Sequence, residues 1–132
     1  MSERSLVLAP IGKRFSAQFI DEALAFVGGY AALLLLDKVM PSDSSVPMLA
    51  MWIIIIGYTL IADGMFNGQS VGKKIMGMYV VDTKTGEPCT YMQSVMRNIT
   101  FLLGIFDVIF IVGSDRRRLG DCLASTKVLI AL

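Results

Sequence analysis

Residues 13–36 open as Lys13-Arg14-Phe15-Ser16-Ala17-Gln18-Phe19-Ile20-Asp21-Glu22 and continue almost unbroken through apolar and small residues to Leu36. A charge inside a membrane span costs roughly 2.5–3.5 kcal/mol on insertion scales, so Asp21 is rarely an accident. On a helix, Arg14, Gln18, Asp21, Ala25, Gly28 and Ala32 fall on one stripe. The stripe is polar at its start and small further in. Phe15, Phe19, Ile20, Leu24, Phe26 and Leu33 occupy the other faces. This is the pattern of a helix whose polar stripe meets protein and whose other faces meet lipid. It predicts helix 1 over about residues 14–36, roughly 20 residues of membrane length with Arg14 snorkelling to the headgroups.

Composition agrees. The chain has 132 residues, 55% hydrophobic and 17% charged, with a mean hydropathy of +0.65. A soluble domain carries about 25% charged residues. The net charge of +1 gives no field for nucleic acid. His is absent and the two cysteines, Cys89 and Cys122, lack a CxxC spacing. A Cys/His metal site and a Ser/His or Cys/His nucleophile pair are therefore excluded. The cysteines read as free thiols facing a reducing compartment. Asp21 and Glu22 near the start of the first apolar run argue against a cleavable signal.

Residues 1–13 read as a short, mildly basic leader, because Pro10 and Gly12 oppose an earlier helix start. Residues 37–47 form a polar turn. Helix 2 follows over about residues 47–63, through Trp52 and Ile53 to Ile56, and Asp63 with Gly64 ends it. Residues 64–91 have another texture. Gly68 to Lys74 is turn-like and basic, and Ile75 to Val81 leans to strand. Asp82 to Pro88 reads as a hairpin turn, and Cys89 to Tyr91 as a short return strand. Lys and Arg near the span ends place the N-terminus in the cytoplasm, loop 37–47 outside and residues 64–98 back inside.

The segment of about 92–113 sets two rules against each other. A full crossing would put Arg116, Arg117 and Arg118 outside, against the positive-inside rule. A non-spanning, membrane-embedded hairpin keeps them inside and lets a tail strand at 126–130 pair with 75–81. That reading is preferred; the basic tail and strand then fill residues 114–132. The fold class is thus an all-α integral membrane protein, with two spanning helices, a third membrane-embedded helical segment and a small cytoplasmic β element.

Four ordered blocks carry a resemblance. They are Arg14-Phe15-x-Ala17-x-Phe19-Ile20-Asp21, Gly68-Gln69-Ser70-Val71-Gly72-Lys73-Lys74-Ile75-x-Gly77-x-x-Val80-Val81-Asp82, Ser94-x-x-Arg97-Asn98, and Arg118-Leu119-Gly120-Asp121-x-Leu123-Ala124-x-Thr126. Over about residues 11–130 the chain resembles the RDD family of small membrane proteins, named for an Arg and two Asp. The resemblance maps the Arg to Arg14 and the first Asp to Asp21. The second maps to Asp121, with Asp107 as the other choice. It implies a bacterial cytoplasmic-membrane protein, and either transport, including cation/proton exchange, or an accessory part in a membrane complex.

Asp21 is the leading candidate for binding a proton or cation, against a structural charge pair that fixes helix packing. Seven residues of helix rise about 10 Å, so Arg14 does not reach Asp21. Arg97, Lys73 or a backbone donor is its expected partner. Asp107 is the second candidate carboxylate, and Arg14 and Gln18 complete the ion-binding set. Arg97, Asp121 and Lys73 form a structural charge network. Glu22 lies off the stripe and snorkels or meets another helix. Gly68 to Lys74 lacks phosphate-loop spacing and reads as a glycine turn with its lysines at anionic headgroups. Lys74, Arg116, Arg117 and Arg118 are the headgroup anchors. The expected function is secondary transport of a small cation or proton by an oligomer in the bilayer, without metal or cofactor. The alternative is an adaptor subunit with a membrane-protein partner; an enzyme is the class that fits least.

Overall fold

A computed structural model describes residues 6–100 and 119–131. Asp107, Arg116, Arg117 and Arg118, and most of segment 92–113, lie outside the described residues.

Helix α1 spans Ile11–Asp37 and α2 spans Val46–Ile61, with Pro47 at its first turn and a 3₁₀ turn, Ala62–Gly64, at its end. Both are long and apolar enough to cross a bilayer. At 1.5 Å per residue, α1 is about 40 Å long, more than the hydrocarbon thickness of about 30 Å. Only 17% of its most apolar window is buried, so Phe19, Val27 and Leu35 stand uncovered. The small residues of α1 pack against Met51 and Ile55 of α2. A Cβ on Gly29 would lie 2.9 Å from the Met51 carbonyl, so α2 approaches α1 there more closely than a larger residue permits. The buried face of α1 is Arg14, Ala17, Asp21, Ala25 and Gly29. The predicted stripe placed Gly28 there, but that residue is exposed, because the contact line drifts by one position along the helix.

The short helices and the sheet gather at one end of this pair. Helix α3 is Val71–Ile75 and α4 is Tyr91–Ile99. Helix α5 is Leu119–Leu123. Strands β1 (Leu6–Leu8), β2 (Met78–Asp82) and β3 (Thr126–Ala131) form an antiparallel sheet in the order β1-β3-β2. The tail strand pairs with the strand after the glycine turn as expected, with Met78 opposite Ile130 and Asp82 opposite Thr126. Their core unites Ala9, Ala17, Met78, Val80, Cys89, Val128 and Ile130. The fold is mostly helical, with two long apolar helices and a small antiparallel sheet.

Three local expectations change. The leader holds β1, whose pairing with β3 comes from residues far away in sequence. Ile75 ends α3 instead of opening a strand. The return strand at Cys89–Tyr91 is reduced to one bridge, Val81 to Pro88. Thr90 then caps α4, its side chain accepting from Gln93 N while the Gln93 side chain accepts from Thr90 N. The N–H groups of Lys84 and Thr85, with the Gln93 amide, hold the Asp82 carboxyl below the usual range and fix the turn.

Cys89 and Cys122 are both free. Burial pushes the Cys89 thiol up to about 11, whereas Cys122 is exposed. At pH 8, maleimide is expected to label Cys122 in the folded protein and Cys89 only after unfolding, as read by intact mass. Equal labelling of both would contradict the packing around Cys89.

Candidate functional site: a buried charge cluster beside a carboxylate held by hydroxyls

The site forms where α1, the end of α2, α3, α4 and α5 converge. Helical spacing puts Arg14 and Asp21 on the buried side of α1. The glycine turn brings α3 against that side. A Cβ on Gly72 would meet the Ala17 carbonyl oxygen at 2.1 Å, so only glycine permits this approach. Gly68 has φ +84°, and a Cβ there would lie 2.3 Å from the Val80 carbonyl oxygen. These two glycines place Ser70 and Lys73 beside α1.

The cations Arg14, Lys73 and Arg97 and the carboxylates Asp21, Asp63 and Asp121 are all buried. Arg97 on α4 is fully enclosed and donates to both Asp63 and Asp121. Arg14 Nη2 donates to Asp121 Oδ2 at 2.6 Å, and the Lys73 ammonium pairs with Asp63. Asn98 Nδ2 adds a bond to Asp63 Oδ2 at 3.2 Å. Charges removed from water need this degree of pairing, because an isolated one is expensive. The network ties α1, α2, α3, α4 and α5 together.

Asp21 is held differently. Its Oδ1 accepts from Tyr58 Oη at 3.0 Å and from Gly72 N at 2.8 Å. Its Oδ2 accepts from the Ser70 hydroxyl. Among the described residues no Lys or Arg pairs with it. Ser70 Oγ also accepts from Lys73 N at 3.3 Å, which links Asp21 to the network through α3.

The expected partners of Asp21 thus divide. A backbone donor is present, while Lys73 and Arg97 belong to Asp63. Arg14 does not pair with Asp21, as the reach argument required. It is also no headgroup anchor, since Asp121 draws it inward. Gln18 bonds to Glu22 at 2.9 Å. Lys73 is buried rather than at a headgroup, whereas Lys74 is exposed and lies over the Phe66 ring at 4.8 Å. Sequence reasoning missed Asp63, Tyr58, Ser70 and Gly72. The signal for Asp63 was an acidic residue immediately after an apolar span, which was read only as a stop.

No curated protein and no solved structure matches the chain. A family model does match, over residues 8–125, and contains every described residue of the cluster. The chain belongs to the RDD family.

Proposed function

We propose that this is an integral protein of the bacterial cytoplasmic membrane that moves protons or small cations as an oligomer, with Asp21 as the exchanging carboxylate. One observation carries the reading: among the described residues Asp21 is buried and held by two hydroxyls and one N–H with no Lys or Arg paired to it, while Asp63 pairs with Lys73 and Arg97 and Asp121 with Arg14 and Arg97. An Arg or Lys partner pins a carboxylate in its ionised form. Hydroxyls donate or accept, so Tyr58 and Ser70 suit both the charged and the protonated carboxyl. Asp21 can therefore change state without breaking an ion pair. Two spans cannot enclose a path, hence the oligomer.

The sheet supports the topology. β1 precedes α1, β2 follows α2, and both pair with β3. Strands that pair lie on one side of a bilayer. Two crossings by α1 and α2 satisfy this, and the chain between β2 and β3 then makes no net crossing. The positive-inside rule makes the side that carries the sheet cytoplasmic.

The test is flux in liposomes holding only this protein. Wild type is expected to dissipate an imposed proton or cation gradient. Asp21→Asn, whose carbonyl oxygen can keep accepting from Tyr58 and Gly72 N while its NH2 donates to Ser70 Oγ, is expected to lose at least about 10-fold of that rate while staying folded. Silence of the wild type would overturn the reading in favour of an accessory subunit. One feature favours that second reading: α4 turns Tyr91, Met92, Met96 and Ile99 outward and buries Ser94, Arg97 and Asn98, an apolar face suited to a membrane partner or lipid.

A further inference from the structure

Two hollows share a pair of side chains, Gln18 and Glu22. An open groove of about 630 Å³ runs along α1 past Phe15, Phe19, Gln18 and Glu22. A partly enclosed cavity of about 10 Å³ adjoins it, bordered by Asp21, Asp63 and Lys73, and again by Gln18 and Glu22. Gln18 and Glu22 line both spaces, so they form the wall between them. The cavity is polar and large enough for about one water. Glu22 is half-buried. Its Oε1 accepts from Gln18 Nε2 at 2.9 Å and stands 3.4 Å from Thr59 Oγ1. Like Asp21, it pairs with no Lys or Arg among the described residues. Asp63, the third carboxylate at the cavity, is fixed by Lys73 and Arg97.

We infer that Glu22 is the relay carboxylate through which Asp21 exchanges protons with the groove, an inference that rests on the reading of Asp21 above. A proton from the groove binds the Glu22 carboxylate. Glu22 gives it to the cavity water as that water gives one of its own to the Asp21 carboxylate. Glu22 returns to its ionised form and the water is regenerated. The cations at Asp63 take no part, because moving them would open the network.

The experiment follows the protonated-carboxyl infrared band of the full-length protein in lipid bilayers after a step to lower pH. The Asp21 contribution is the part lost in Asp21→Asn. In Glu22→Gln it is expected to rise at least about 10-fold more slowly to the same final amplitude. Glu22→Asp is expected to recover part of the rate. A wild-type rate in Glu22→Gln would overturn the relay and leave the Asp21 reading standing. A lower final amplitude in a folded Glu22→Gln would also overturn it, because Glu22 would then hold the proton rather than pass it. Absence of any Asp21 band in wild type would overturn the Asp21 reading itself, and the relay with it.

Discussion

Arg97→Ala is expected to yield no stably folded protein. The guanidinium is fully buried and joins Asp63 to Asp121. Removing one partner from a buried ion pair costs about 3–5 kcal/mol, because the remaining charge is left uncompensated. Here two carboxylates lose a partner together. The loss is comparable to the whole stability of a small domain, about 5–15 kcal/mol. Arg97→Lys is expected to rescue only in part, since an ammonium is a point charge and lacks the fork that spans two carboxylates. Yield of a monodisperse species after detergent extraction, with its melting temperature, measures the effect. An Arg97→Ala protein that melts like wild type would show that the cluster does not hold these helices together.

Gly72→Ala carries the second large effect, although it adds one methyl group. That methyl would sit 2.1 Å from the Ala17 carbonyl oxygen and 3.0 Å from Asp21 Cγ, so α3 must move away from α1. The move lengthens the Gly72 N–H bond to Asp21, now 2.8 Å, and draws Ser70 with it. Overpacking costs about 1–3 kcal/mol and a lost bond to a charged group about 1.5–3 kcal/mol, giving about 3–6 kcal/mol together. Gly57→Ala is the control. Among the described residues, nothing outside the helix's own backbone stands within 4 Å of a Cβ there, and exchanging a mid-helix glycine for alanine is expected to stabilise by up to about 1 kcal/mol. Thermal melts of the two variants should move in opposite directions. A Gly72→Ala protein as stable as wild type would mean that α3 is not clamped to α1.

The elements with strong local periodicity were legible in the sequence, and those made by distant contacts were not. The run from Arg14 to Leu36 announced α1, and the tail from Thr126 announced β3 through its β-branched and apolar residues. The stripe located Arg14 and Asp21, and the length of a helical rise kept them apart. The stripe departs from the buried face at Gln18, where Ala17 is buried instead, and at Gly28, where Gly29 is. By contrast, the Asp21 donors Ser70 and Gly72 lie 49 and 51 positions away, and no spacing rule relates them to α1. Asp63 was opaque for another reason: Asp-Gly after an apolar run is the ordinary signature of a helix end, and it says nothing about which cations fold back onto it. β1 is three residues long and shows no alternation of its own.

The order of strands has a consequence for how the protein is made. β3 lies in the middle of the sheet, yet it follows β1 and β2 along the chain. Until the ribosome has released Thr126–Ala131, β1 and β2 lack the strand that joins them. Asp121, the shared partner of Arg14 and Arg97, emerges only shortly before. Until then the newborn chain has two long apolar helices without their sheet, and Arg14 and Arg97 wait for the carboxylate they share. A chain caught at that stage is expected to be open to proteolysis until Thr126–Ala131 completes the sheet.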